Sequence, residues 1–252
     1  MIMENAKILI YDGSFNGFLT AVYRAFETRI ELTDIRRRAD GQKAMFAEMV
    51  MVRTETDKAR RVWDGIARNN YQAVRKIYFS FLSEQPGIEF LLYRYIRNLF
   101  KPAGITEKEA AISLRIDTLA EMVGQEKKRL EAGLKFSEAN GSASLAVLSP
   151  RYNILPLITR HTRSRFPDRS WILYDNKRNY GLYFNREDMK LQKLNPSETR
   201  LLLQHDSTRQ GTAILQQTPA FKSLTSKWNS TVPRDFSRSA AGKHMLAGSS
   251  AA

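Results

Sequence analysis

Two short runs of aromatic and branched residues, Ser170 to Asp175 and Tyr180 to Asn185, flank only four polar residues, Asn176-Lys177-Arg178-Asn179. So short a polar connection between strand-forming runs leaves an antiparallel hairpin as the arrangement that satisfies both backbones. Asparagine at the turn tolerates positive φ. Upstream, Ser144 to Leu148 reads as another strand, and Ile154 to Arg165 reads as a helix led in by Pro150. From Gly141 onward the chain is therefore expected to build a small sheet with one helix against it.

Before Gly141 the period is mostly helical. Lys7 to Tyr11 reads as a short strand stopped by Asp12 and Gly13, and Phe15, Phe18, Leu19, Val22, Tyr23 and Phe26 then mark one helical face. Asp12 or Ser14 can cap that helix. Met45 to Val52 reads as a strand. Thr54 and Asp57 have capping-box spacing before a helix through Ala67. Asn70 to Leu82 is a helix rich in aromatics, broken by Ser83-Glu84-Gln85-Pro86-Gly87. Ile88 to Phe100 forms the next, apolar nearly all round, ended by Pro102 and Gly104. In the break, Pro86 suits a first helical position and Glu84 the positive end of the helix dipole. Thr106 opens a long helix to about Glu131. The fold expected is α+β, a mostly helical N-terminal region with a small antiparallel sheet that includes the C-terminal hairpin. Residues 1–196 are read as one domain. Residues 197–252, rich in Ser, Thr, Gln and Ala, are read as a degenerate or disordered basic tail.

Charge narrows the function more than hydropathy does. Forty Lys and Arg against 26 Asp and Glu give a net +14 over 252 residues, a field that concentrates polyanions. Cysteine is absent, so the chain itself supplies no disulfide, thiolate zinc ligand, cysteine nucleophile or iron–sulfur ligand. No Gly-rich phosphate loop or HExxH is present and no cofactor or metal is implied. The N-terminus has only a very short apolar run, unlike a secretory signal. No apolar stretch approaches the ~20 residues of a membrane helix, and the expected location is the cytoplasm.

Between Tyr152 and Phe184, cations are interleaved with aromatics. Arg160, Arg163 and Arg165 lie on the helix, Arg151 precedes it, Arg169 follows it, and Lys177 and Arg178 occupy the hairpin tip. Arginine forks match phosphate oxygens, so these seven residues are the candidate nucleic-acid contacts; a solvated face with local ion pairs to Asp168 and Asp175 is the plainer alternative. Trp171, Tyr174, Tyr180 and Tyr183 would form a base-stacking platform only on an open sheet face, and strand aromatics more often pack a core. His161 and Asp175 are the candidates for proton transfer. An aspartate at a hairpin entrance also commonly caps the turn.

DGSFNGFLTAVYRAF, FLSEQPGIEFLLYRYIR and the YNILPLITRH…RFPDRSWILYDNKRNYGLYF segment together resemble the DUF4130 family over roughly Ile8 to Lys193. The resemblance implies a role in DNA metabolism or repair, beside a radical SAM protein that acts on DNA; a similar domain is fused to uracil-DNA glycosylases in other lineages. The family's E-x-HR…RF segment reads Glu126-Lys127-Lys128-Arg129…Lys135-Phe136 here, with lysine in place of the histidine and of the second arginine. Leu224, Trp228 and Val232 stand where the family has a C-terminal LW-x-x-F stretch. Three functions follow as expectations. The first is a DNA-binding accessory protein acting with the radical SAM partner, which must supply any iron–sulfur cluster. The second is an enzyme acting directly on DNA, glycosylase- or nuclease-like, through His161 and Asp175. The third is a protein-interaction scaffold without DNA contact.

Overall fold

A computed structural model of the chain describes residues 7–29, 32–40, 48–101, 106–136 and 144–193. Two compact units divide at Gln125/Glu126. The tail read as 197–252, the start of the Met45–Val52 run, and Pro102 and Gly104 lie outside the described residues.

The first unit is α/β in its opening third. Strand β1 (Lys7–Tyr11) leads into helix α1 (Phe15–Thr28) and strand β2 (Leu32–Arg37), followed by strand β3 (Glu48–Met51). The sheet order is β2-β1-β3, and both pairings are parallel. Only antiparallel pairing was expected, and β2 was not read from the sequence. The reason is topological: α1 returns the chain to the starting edge, so β2 can only run alongside β1. β1 is central, with Ile8, Leu9, Ile10 and Tyr11 all buried, as parallel strands covered on both faces require.

Helices α2 (Thr56–Asn69), α3 (Tyr71–Leu82), α4 (Ile88–Leu99) and α5 (Glu107–Gly133) follow. Phe15 packs edge-on against Trp63, Tyr78 and Phe81 with centroids 5.0–5.4 Å apart, joining α1, α2 and α3 in one aromatic core. Ser14 caps α1 by accepting from the N–H of Gly17. Thr54 and Asp57 form no capping box: Glu55 is the N-cap of α2 without a side-chain bond, and Thr54 Oγ1 donates to Asp12 Oδ2 instead. A capping box does open α5, where Thr106 and Glu109 each accept the other's backbone N–H. Helix α4 starts at Ile88, after Gly87 at φ 73°, so Pro86 precedes the helix rather than opening it. Its buried face includes Glu89, whose Oε1 accepts from Tyr11 Oη at 2.9 Å and Arg37 Nε at 2.7 Å. Glu84, expected to serve the helix dipole, pairs with Arg37 at 3.6 Å. Phe90, Leu91 and Leu99 are only half-buried, so α4 is less enclosed than its composition suggests.

The second unit comprises the end of α5, strand β4 (Ser144–Leu148), helix α6 (Leu155–Arg165), and strands β5 (Trp171–Asp175), β6 (Tyr180–Phe184) and β7 (Met189–Lys193). The order is β4-β5-β6-β7; β4 and β5 are parallel and the others antiparallel. The expected hairpin is β5–β6, with Asn179 at φ 53° in its turn. The parallel β4–β5 pair corrects the purely antiparallel expectation, because α6 is the crossover between them. Strand β5 is buried at all five positions. At Gly181 an added Cβ would lie 3.1 Å from the Leu173 carbonyl, so β6 approaches β5 there without a side chain. No helix among the described residues is long and apolar enough to cross a membrane.

Candidate nucleic-acid interface

Leu155, Ile158 and Thr162 are buried along α6, while Arg160, His161, Arg163, Ser164 and Arg165 are exposed. The i, i+3, i+4, i+7 spacing puts the apolar side on the unit's core and turns a cationic strip outward. The side chains of Arg160 and His161 make no hydrogen bond or ion pair among the described residues. The other arginines are braced by aromatic rings. Arg163 stands over Phe184 at 5.3 Å, Arg165 over Phe166 at 5.4 Å, Arg151 over Tyr152 at 5.3 Å, and Arg169 over Phe166 at 4.4 Å and Phe136 at 5.4 Å. A guanidinium over a ring still has in-plane N–H groups that can donate elsewhere. Arg163 and Arg165 also make long contacts, 3.4 Å, to the carbonyls of Glu187 and Glu131.

A second group of cations gathers at the loop before α6. Glu126, buried near the end of α5, accepts the N–H groups of Arg151 at 2.7 Å and Tyr152 at 3.1 Å. Arg129 reaches the same Glu126 oxygen at 3.4 Å. From the hairpin tip, Lys177 Nζ and Arg178 Nη2 both donate to the Arg151 carbonyl, at 3.3 and 3.2 Å. Residues distant in sequence thus meet around one peptide group. Arg129 was missed as a candidate; its i, i+3 spacing from Glu126 was the available signal.

Arg178 differs from the other six candidates. It bonds Asp175 Oδ2 at 2.9 Å and the Pro150 carbonyl at 3.4 Å besides Arg151, and only 14 % of its side chain is exposed. It holds the hairpin tip to the loop. Asp175 is fully buried, and its Oδ1 accepts the N–H groups of Lys177 at 2.9 Å and Arg178 at 3.1 Å. Burial pushes its carboxyl above the ordinary range, opposed by the Arg178 guanidinium and the two turn N–H groups. All these donors belong to the turn and none to His161, so the two proton-transfer candidates are not brought together.

The aromatic platform is closed on β5. Trp171 and Tyr174 are fully buried. Tyr180 Oη donates to Asn153, Tyr174 Oη donates to Asn179 at 3.2 Å, and Tyr180 and Tyr183 are half-buried. Among the described residues no group of three or more His, Asp or Glu is placed to hold a metal ion.

The model of DUF4130, a domain of unknown function, matches residues 86–229, more than half of the chain. The chain belongs to this family. The matched span includes β4 to β7, α6 and every candidate contact named above, while β1 and its Asp12-Gly13-Ser14-Phe15 turn precede it. No curated protein and no solved structure matches the chain.

Proposed function

We propose that this DUF4130 protein binds DNA through the phosphate backbone as an accessory protein in repair or modification, presenting DNA to a radical SAM partner. The observation that carries the DNA contact is the set of aromatic-braced arginines on and around α6, with Arg160 unpaired beside them. Bracing lowers the entropy lost when a long side chain is fixed on a phosphate. Phosphate contacts fix position without reading sequence, which suits a surface whose β5 aromatics, Trp171 and Tyr174, are buried. The radical SAM partner rests on the family resemblance alone. The absence of cysteine means that any iron–sulfur cluster would come from that partner.

Fluorescence anisotropy with labelled single-stranded, duplex and uracil-containing DNA between about 50 and 300 mM salt tests the contact. Steep salt-dependent binding that the Arg160/Arg163/Arg165→Ala variant loses is expected. No binding at the lowest salt would overturn it and leave the scaffold reading. The accessory role is tested separately: co-purification of the radical SAM protein after nuclease treatment supports it, and a DNA-cleaving or base-releasing activity of the isolated chain would overturn it.

A further inference from the structure

The corner formed by Arg129, Arg151, Lys177 and Arg178 carries more positive charge than its neighbours neutralise. Among the described residues, Glu126 and Asp175 are the carboxylates seen to bond these groups, and both are engaged. Glu126 holds the Arg151 and Tyr152 N–H groups and meets Arg129. Asp175 holds the turn N–H groups and Arg178. The Arg151 guanidinium and the Lys177 ammonium are left with no carboxylate partner among the described residues. Lys177 and Arg178 both donate to the Arg151 carbonyl, which brings their charges together. Like charges drawn together around a fixed loop and short of counter-charge form an anion site.

We infer that this corner binds the terminal phosphate monoester of a nucleic-acid strand. Four cations against two carboxylates leave two positive charges, which complement a monoester near −2; an internal diester carries only −1. The cations come from α5, the β4–α6 loop and the β5–β6 turn, and their contacts converge on the Arg151 peptide groups and on Glu126. Those of α6 are spread along the helix, with Arg163 toward β6 and Arg165 toward α5. The strand-end ligand rests on the DNA-binding reading above, but the phosphate chemistry does not.

The test uses the full chain and one oligonucleotide duplex bearing either a 5′-phosphate or a 5′-hydroxyl. The phosphorylated form should bind about tenfold more tightly, as expected for two charge-assisted contacts. Lys177→Gln and Arg151→Gln should abolish that ratio. Arg160→Gln should weaken both duplexes and preserve it. Melting temperature in phosphate-free buffer checks that each variant folds. In parallel, inorganic phosphate is titrated at constant ionic strength, and a rise in melting temperature that Lys177→Gln loses is expected. If neither duplex binds but this rise occurs, the DNA reading fails and the corner stands as a site for a smaller phosphate compound. Equal binding of both duplexes, with no Lys177-dependent response to phosphate, overturns the corner and leaves the DNA reading intact.

Discussion

Glu126 and Arg178 hold opposite ends of one residue. The carboxylate of Glu126 accepts the N–H of Arg151 at 2.7 Å, and the guanidinium of Arg178 donates to its carbonyl at 3.2 Å. The loop entering α6 is thereby fixed from α5 on one side and from the hairpin tip on the other. Glu126→Gln keeps the shape but replaces one acceptor oxygen with a donor that faces a backbone N–H. The expected cost is about 1–3 kcal/mol, read as a shift in urea midpoint with unchanged m-value.

Removing Arg178 leaves Asp175 buried with its turn N–H bonds but no counter-charge. Arg178→Ala should cost about 3 kcal/mol, the low end for breaking a buried pair. Arg178→Lys should restore less than half of it, because one ammonium cannot reproduce a fork that spans Asp175 and two carbonyls. Both variants should lose thermal stability along with DNA affinity. The Arg160/Arg163/Arg165→Ala variant should lose affinity with little change in melting temperature.

Five of the seven candidate cations, Arg151, Arg160, Arg163, Arg165 and Lys177, are exposed. If each meets one phosphate, the log–log salt dependence of duplex binding should have a slope near −4 to −5, and the triple variant should lose about 3 of it. A slope shallower than about −2 in the parent protein would exclude a phosphate-tracking surface.

Stability of the first unit should fall in acid through Asp12. Its burial opposes ionisation, but the Ser14 hydroxyl and N–H and the Thr54 hydroxyl outweigh it and hold the carboxyl below the ordinary range. A depressed folded value stabilises above the unfolded value of about 3.9, and the contribution is lost as pH falls through the folded value. Asp12→Asn should therefore destabilise by about 0.5–1 kcal/mol at pH 7, kept small by the exposure of the side chain. The difference from the parent should shrink as pH falls through the folded value of Asp12, as measured by denaturant titration at neutral and at acid pH.

Gly17 belongs to the same arrangement. A Cβ there would lie 2.2 Å from Asp12 Oδ1 and 2.9 Å from Thr54 Oγ1. Gly17→Ala should displace the Asp12 carboxylate and cost about 1–2 kcal/mol at neutral pH, despite alanine's better helix propensity. It should also remove most of the Asp12-dependent acid response, so that the double variant with Asp12→Asn is less destabilised than the two single costs combined.

Local chemistry was legible along the chain. The β5–β6 hairpin, its turn at Asn176–Asn179, the Ser14 cap, the Asn70 boundary between α2 and α3, and the amphipathic α6 each follow from residues a few positions apart. Periodicity, capping and turn propensity act over that range. Strand β2 escaped because Leu-Thr-Asp-Ile-Arg-Arg has only two buried apolar residues in a polar run. Its partner and its parallel direction come from the α1 crossover, which no short pattern encodes. The burial of Glu89 depends on Tyr11 and Arg37, which lie far from it in sequence.

The same division holds for the candidate surface. Sequence alone determined that the Tyr152–Phe184 segment carries a dense set of cations and that Asp175 stands at a hairpin entrance, because composition and turn chemistry are local properties. Only the tertiary structure decided which cations stay on the surface. It closed the aromatic platform on β5, turned Arg178 inward onto Asp175, stacked Arg163 and Arg169 on rings from other segments, and drew Arg129 to the α6 entrance. Hydrogen-bond geometry and desolvation depend on groups separated by tens of residues, and those distances exist only once the chain has folded.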